Sequence, residues 1–194
     1  MVLKRGFGVL KRLKRGEKVL IFLTYKCTLD CPYCTLKFAT GNMPTSDILD
    51  LEQWKYIIKK FPTRVRELVF SGGEPMLHPQ FCDIVNWALS EGYFVTVFSN
   101  LTTQNGLCMR PSWRLRIDST YHRSADLGKW MGNYKLYSTK YRTDMNEIED
   151  NQTGMGHSKD FCDPEVADQT TGFFYGPDGR LFTSFMEIDH HYAR

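Results

Sequence analysis

The sequence predicts an α/β fold organised around a parallel sheet. Short apolar runs alternate with segments of helical periodicity between residues 19 and 150, which is the pattern of successive βα units. Unusual polar motifs directly follow several of these runs, as they do at the carboxyl ends of parallel strands. The chain has 194 residues, of which 42% are hydrophobic, and this is enough for one domain with its own core.

Five strands are expected from short runs of apolar or β-forming residues. They are predicted at 19–24, 67–70, 93–98, 114–117 and 134–141. Helical spacing predicts a helix over 51–58 capped by Ser46 or Asp47, a second helix opened by His78 and stopped by Gly92, and a weak third helix over 125–131.

Near the end of the chain, the alternation of strands and helices gives way to a different pattern. A Gly-Pro-Asp-Gly turn lies between the runs 172–175 and 180–183, which predicts a β-hairpin. We therefore expect a basic N-terminal arm at 1–18, an α/β core at 19–150, and a C-terminal loop and hairpin at 151–194.

Composition narrows the class of protein. The formal net charge of +3 is too small to indicate nucleic-acid binding, and we expect the basic arm to be solvated rather than bound to RNA. No apolar run is long enough to span a membrane, and no secretory signal is recognisable. Six cysteines in such a chain indicate metal or redox chemistry more than disulfides, so we expect a cytoplasmic protein.

Three cysteines lie in one short loop after the first predicted strand. Cys27, Cys31 and Cys34 have Cys-x3-Cys-x2-Cys spacing, so their thiols could hold one inorganic centre. A structural zinc site and an ordinary 4Fe-4S carrier each use four protein ligands. The motif therefore leaves two alternatives, a zinc module completed by Cys162 or a histidine, or a cluster with one iron open to a ligand.

Other polar motifs follow the next three predicted strands, at 71–75, 99–100 and 118–122. The glycines at 72 and 73 would let a ligand approach bare backbone. Glu74 could accept a hydrogen bond from a ligand ammonium group, and Ser99 and Asn100 suit ribose hydroxyls. Because all these motifs fall at strand ends, we expect them at one edge of the sheet.

In motif and order, the chain resembles the radical S-adenosylmethionine (radical SAM) superfamily over roughly residues 19–150. The Cys-x3-Cys-x-aromatic-Cys signature is matched by Cys27, Cys31, Tyr33 and Cys34, and the Gly-Gly-Glu-Pro motif by Gly72, Gly73, Glu74 and Pro75. Ser99-Asn100 is similar to the Thr/Ser-Asn pair of the family, 117–119 to its Ser-Leu-Asp turn, and 146–147 to an Asn-Asp-Asp-Glu junction.

The resemblance implies a shortened, partial (β/α) barrel of the radical SAM type with a C-terminal β-hairpin. It also implies a 4Fe-4S cluster on Cys27, Cys31 and Cys34, with S-adenosyl-L-methionine on the open iron. One electron, from a donor such as flavodoxin or ferredoxin, would cleave the cofactor to methionine and a 5′-deoxyadenosyl radical. That radical would take hydrogen from an unidentified substrate, which could be a peptide, a nucleoside or a small metabolite.

The resemblance further implies roles for single residues. Tyr33 would lie near the adenine, and Arg116 or Ser119 would hold the methionyl carboxylate. Apart from the resemblance, the position of His122 at a predicted strand end makes it the candidate for substrate contact and catalysis, with a surface or structural histidine as the alternative. The full set expected to bind the cofactor is Tyr33, Gly72, Gly73, Glu74, Pro75, Ser99, Asn100, Arg116, Asp118 and Ser119.

Some features depart from the family pattern. The hairpin after Cys162 is similar to the SPASM and twitch extensions, but Ser184 stands where those usually have a cysteine, so we expect one cluster. Cys82 and Cys108 are expected to be ordinary thiols. The alternatives are an activase of a glycyl-radical enzyme, a degenerate barrel that binds cofactor without turnover, and the non-catalytic zinc module.

Overall fold

The computed structural model describes residues 18–31, 34, 48–148 and 174–182, which form one seven-stranded sheet. The strands are β1 Lys18–Thr24, β2 Glu67–Gly72, β3 Phe94–Ser99, β4 Leu115–His122, β5 Arg142–Ile148, β6 Phe174–Tyr175 and β7 Leu181–Phe182. Their order across the sheet is β5-β4-β3-β2-β1-β6-β7. All neighbouring pairs are parallel except β6 with β7, so the predicted parallel α/β architecture is confirmed.

Helices follow β1, β2 and β4. They are α1 Leu51–Ile58, α2 Phe81–Ser90 and α3 Leu127–Ser138, and short 3-10 helices lie at Pro75–Leu77 and Asn105–Cys108. Asp50, rather than Ser46 or Asp47, caps α1 through a reciprocal pair of hydrogen bonds with Gln53. In the part of the chain described, no helix has both the length and the apolar character needed to cross a membrane.

The core lies between these helices and one face of the sheet. Alternate strand residues supply that face, because successive side chains of a strand point to opposite sides. They are Val19, Ile21, Leu23, Leu68, Phe70, Val95, Val97, Leu115 and Ile117, and they cluster with Trp54, Ile84, Trp130 and Tyr137 from the helices. The opposite side, which we call the second face, has polar residues on β4 and β5.

The fifth strand was predicted in the wrong place. Residues 134–138 of the predicted strand belong to α3, and the strand itself is β5, Arg142–Ile148. The aromatic residues of this segment favour strands in general. Here Trp130, Asn133 and Tyr137 are buried at helical spacing and Asp126 caps the helix, so tertiary packing decides the outcome.

The fourth strand is longer than predicted. β4 continues to His122, so the polar motif at 118–122 lies within the strand instead of following it. The junction at 146–147 likewise lies inside β5. The side chains of residues 118–122 therefore point alternately to the two faces of the sheet, and these residues do not form a loop.

The predicted hairpin is confirmed, and it also extends the sheet. β6 pairs in parallel with β1, Leu20 opposite Phe174 and Ile21 opposite Tyr175. Leu49 donates its backbone N–H to the carbonyl of Pro177 at 2.9 Å, which ties the hairpin to the start of α1. The core sheet thus has a sixth parallel strand that the sequence pattern alone did not indicate.

Two of the six cysteines form a disulfide, which corrects the expectation that Cys82 and Cys108 are ordinary thiols. Cys82 lies on α2, and Cys108 ends the 3-10 helix that follows β3. Disulfides are more typical of oxidising compartments, and the cytoplasmic location expected from the cysteine content stays a prediction.

We expect loss of this disulfide to destabilise the fold without removing the cysteine loop. It closes a separation of 26 residues, for which chain entropy predicts about 3 kcal/mol of stabilisation. Urea unfolding of the Cys82→Ala/Cys108→Ala double variant should therefore show a lower midpoint than the wild type. Reductant should lower the wild-type midpoint and leave the variant unchanged. Equal midpoints for the wild type and the variant, each measured with and without reductant, would contradict the disulfide.

Candidate functional site

The cysteine loop begins directly after β1. Cys31 is buried, and Cys27 and Cys34 are half-buried; none of the three is in a disulfide. Cys34 donates its backbone N–H to the carbonyl of Cys31 at 3.2 Å, so the backbones of these two cysteines lie close together. Tyr33 lies outside the described residues, so its expected position near an adenine stays a prediction.

Within residues 18–31, 34, 48–148 and 174–182, no three His, Cys, Asp or Glu side chains are grouped to hold a metal ion. The three thiols are nevertheless close enough to interact. The pKa of Cys27 is raised, mainly by burial and further by the charges of Glu74, Cys31 and Cys34. A bound cation would offset this repulsion, and three cysteine thiols on one loop are donors that iron–sulfur clusters use. The donor set therefore fits the chemistry of such a cluster.

Two side chains from other loops contact these thiols. The amide Nδ2 of Asn100 lies 3.5 Å from the Sγ of Cys27, and the hydroxyl of Ser124 lies 3.4 Å from the Sγ of Cys31. Ser124 follows β4, in the turn before α3. The structure thus joins the β1, β3 and β4 ends around the thiols, as expected for the carboxyl edge of a parallel sheet.

The glycines at 72 and 73 bring the end of β2 against the segment that leads into the cysteine loop. A Cβ at Gly72 would lie 2.1 Å from the carbonyl oxygen of Thr24, and one at Gly73 would lie 2.4 Å from that of Lys26. Gly73 N–H donates to the Thr24 carbonyl at 2.9 Å. In this structure the protein's own backbone occupies the space that these glycines leave open.

Glu74 is fully buried and joins the loops after β2 and β3. Its carboxylate accepts hydrogen bonds from Met76 N–H at 3.1 Å, from the Ser99 hydroxyl at 3.0 and 3.1 Å, and from Asn100 N–H at 2.9 Å. Burial raises the pKa of Glu74 to about 7, although these hydrogen bonds act to lower it. Pro75 follows as the first residue of the 3-10 helix.

The loop after β3 is held in a fixed conformation. Leu101 is buried with a φ of 50°, a left-handed conformation that is uncommon for a residue with a side chain. Its N–H donates to the Ser99 hydroxyl at 3.0 Å, and its carbonyl accepts from Asn133 Nδ2 at 2.7 Å. The surroundings therefore fix the turn that presents Asn100 to the cysteine loop.

The predicted residues of β4 separate onto two faces. Arg116 lies 3.8 Å from both Asp118 and Asp144, and Asp118 accepts a hydrogen bond from Asn146, which forms a polar group on the second face. Ser119 is fully buried, and its hydroxyl donates to the Asp144 carbonyl at 2.6 Å. The structure therefore does not bring Ser119 to the same face as Arg116.

His122, expected to contact substrate, is half-buried at the carboxyl end of β4. Several residues of the site were missed by the sequence reasoning, namely Thr28, Thr102, Ser124 and Asp144. Ser124 lies just beyond a predicted strand end, so its position was a usable signal. Thr28, Thr102 and Asp144 have no distinctive local pattern.

Comparison with known proteins links this site to a family. A family model described as the Radical SAM superfamily matches residues 21–110. The S-adenosylmethionine-dependent nucleotide dehydratase of Selenomonas ruminantium is 39% identical over 85 residues, which cover 43% of this chain and 29% of that protein. The PqqA peptide cyclase of Streptomyces rochei is 36% identical over 87 residues, covering 42% and 22%.

A solved structure supports the same fold. SuiB of Streptococcus suis, bound to the precursor peptide SuiA, superposes with a TM-score of 0.58 at 12% identity, covering 73% of this chain and 35% of that one. At 12% identity, this similarity shows a shared fold only. The chain spans about a third or less of the length of each of these proteins.

Proposed function

We propose that the chain is a radical SAM enzyme with a 4Fe-4S cluster and S-adenosylmethionine as cofactors, because the Radical SAM superfamily model matches residues 21–110. The observation that supports this most is the position of Asn100. Its backbone N–H donates to Glu74, and its side-chain amide contacts Cys27. One residue thus connects the Gly-Gly-Glu-Pro motif to the cysteine loop.

Cys27, Cys31 and Cys34 would hold three irons of the cluster, and the fourth iron would bind S-adenosylmethionine. When bound, the cluster and its ligand supply a 5′-deoxyadenosyl radical, which takes a hydrogen atom from the substrate. The chain's own part is to orient these groups and to exclude water.

Glu74 would bind the ammonium group of the cofactor's methionyl part. Within the described residues no cation pairs with this buried carboxylate, and its raised pKa reflects that uncompensated burial. An ammonium group would stabilise the ionised form. The Ser99 hydroxyl already donates to Glu74, so Ser99 would hold this carboxylate in place and would not contact the ribose.

Arg116 is already paired with Asp118 and Asp144. We therefore propose that Arg116 organises the second face, and that the methionyl carboxylate is held by other groups. Beside this cluster, Phe98 is 42% exposed and lies opposite Asp118 in the strand register. This face combines an aromatic ring with charged and amide groups. We propose that the substrate binds over it, with His122 at the carboxyl end of β4.

For the substrate we propose a peptide or a nucleotide. The names of the relatives favour these two classes, since one is a nucleotide dehydratase, another is a PqqA peptide cyclase, and SuiB was solved with a precursor peptide. A flavodoxin or ferredoxin would supply the electron.

The test is anaerobic reconstitution of the full chain with iron and sulfide, followed by dithionite and S-adenosylmethionine. We expect about four irons and four sulfides per chain, and 5′-deoxyadenosine in the product mixture. Changes around a metal ligand alone cost about 10- to 100-fold, so Cys31→Ala should lower the yield of 5′-deoxyadenosine more than 100-fold. The Cys82→Ala/Cys108→Ala variant is the matched cysteine control and should keep its cluster. One zinc per chain and no iron would overturn the proposal in favour of the zinc module.

A further inference from the structure

We propose that Asn100 and Ser124 donate hydrogen bonds to the thiolates of Cys27 and Cys31, and thereby raise the reduction potential of the bound cluster. This inference rests on the proposed function, because it assumes that these thiolates ligate iron. It assigns Asn100 a role besides ribose contact, and it gives Ser124 a role in the site. Both act as positioning residues through the cluster ligands.

The orientation of the Asn100 amide is fixed by its neighbours. Its Oδ1 accepts hydrogen bonds from both the N–H and the hydroxyl of Thr102, at 3.0 and 2.6 Å. The Nδ2 end must then face the opposite side, where it lies 3.3 Å from the Thr28 hydroxyl and 3.5 Å from the Cys27 Sγ. The group that points at Cys27 is therefore the NH2 group, which is a donor. Exchanging the amide oxygen and nitrogen would place this NH2 group against the two donors of Thr102.

The Asn100 backbone is fixed as well. Its N–H is held by the buried carboxylate of Glu74, and the next residue, Leu101, has the left-handed conformation described above. Asn100 thus reaches Cys27 from a loop whose conformation is held by contacts within the protein. The Leu29 N–H, 3.4 Å from the same sulfur, adds a donor from within the cysteine loop.

Ser124 supplies the matching contact on Cys31. Its hydroxyl lies 3.4 Å from the Cys31 Sγ, and either atom could donate while the thiol carries a proton. A metal-bound thiolate has no proton, so the serine must then be the donor. Because Asn100 follows β3 and Ser124 follows β4, the two contacts come from separate elements and can be tested separately.

Hydrogen bonds to cluster sulfurs stabilise the reduced state, because reduction adds negative charge that spreads onto those sulfurs. Such bonds are among the factors that set the potentials of iron–sulfur clusters. Two side-chain donors on two of the three ligating thiolates should therefore make the cluster easier to reduce than the same ligand loop would alone.

The test is an anaerobic redox titration of the reconstituted full chain, followed by electron paramagnetic resonance of the reduced cluster. We expect Asn100→Ala and Ser124→Ala each to lower the ratio of reduced to oxidised cluster at a fixed potential, by up to about tenfold, which equals about 59 mV for one electron. Ser90→Ala is the control. This serine is exposed at the end of α2, and its hydroxyl donates to the backbone carbonyl of Trp87, not to a cysteine of the loop.

The outcomes separate this inference from the proposed function. If the wild type takes up no 4Fe-4S cluster, the proposed function fails. If all variants load the same iron and keep the wild-type potential, the cluster assignment stands and the hydrogen-bond role is overturned. Should Asn100→Ala fail to fold, the exposed Ser124 still carries the test, because removing its hydroxyl should leave the fold unchanged.

Discussion

Replacement of Glu74 by alanine is expected to lower the free energy of unfolding by at least about 3 kcal/mol. The side chain is fully buried, and three donors, Met76 N–H, Asn100 N–H and the Ser99 hydroxyl, would lose their acceptor. Each buried donor left without a partner costs about 1–3 kcal/mol. Urea unfolding at pH 7 measures the loss, and cofactor binding by the same variant should fall with it.

Glu67 provides the matched control for this substitution. It is the first residue of β2, the strand that leads to Glu74, but it is partly exposed, accepts a hydrogen bond from the Thr96 hydroxyl and pairs with Lys18. Such a surface pair contributes about 0–1 kcal/mol, so Glu67→Ala should be several-fold milder than Glu74→Ala. A similar loss from the two variants would show that the Glu74 hydrogen bonds do not hold the two loops together.

The Glu74 carboxyl also gives the fold a dependence on pH. Its pKa rises from an ordinary value of 4.5 to about 7 on folding, so the folded state binds the proton more tightly than the unfolded state. The corresponding stability is present below pH 4.5 and is lost as the pH rises through 7. Compared with Glu74→Gln, the wild type should therefore lose more stability between pH 5 and pH 8.

Gly73→Ala is expected to prevent stable folding or to destabilise the protein by about 4 kcal/mol or more, the range of the most severe substitutions. A Cβ at this position would lie 2.4 Å from the Lys26 carbonyl oxygen and 2.5 Å from that of Tyr25. Both obstructing atoms belong to backbone, so no side-chain rotation relieves the overlap. Thermal unfolding and the yield of folded protein measure the effect.

The contrasting variant is Gly132→Ala, in α3. A Cβ there would meet nothing within 4 Å, and alanine is the better helix former by about 1 kcal/mol. The melting temperature should therefore rise in Gly132→Ala and fall in Gly73→Ala. A folded Gly73→Ala protein with the wild-type melting temperature would contradict the close approach of the two backbones.

The parallel sheet could be predicted because alternating strands and helices are visible locally in the sequence. Successive βα units join their strands in parallel, so this local pattern determines the architecture of the sheet. The placement of Glu74 and Asn100 near Cys27 followed from the same rule. The fifth strand was misplaced because the aromatic residues of α3 are compatible with a strand or a helix. The burial of Trp130 and Tyr137 in the tertiary structure decides for the helix.

Other features had no local signal to detect. The disulfide joins cysteines 26 residues apart, and only the meeting of α2 with the loop after β3 brings them together. The strand β6 was predicted as part of the hairpin, but its parallel pairing with β1 was not, because that pairing joins segments far apart in the sequence. The hydroxyl of Ser124 likewise became part of the site only through the position of its turn.

The pairing of β6 with β1 has a consequence for the order of events during synthesis. β1 carries the cysteine loop, yet one of its two neighbours in the sheet comes from Phe174 and Tyr175, far along the chain. Contacts between such distant residues form late, because the intervening chain must first be made and closed into a loop. We therefore expect the strand beneath the proposed cluster site to remain open along one edge on the ribosome.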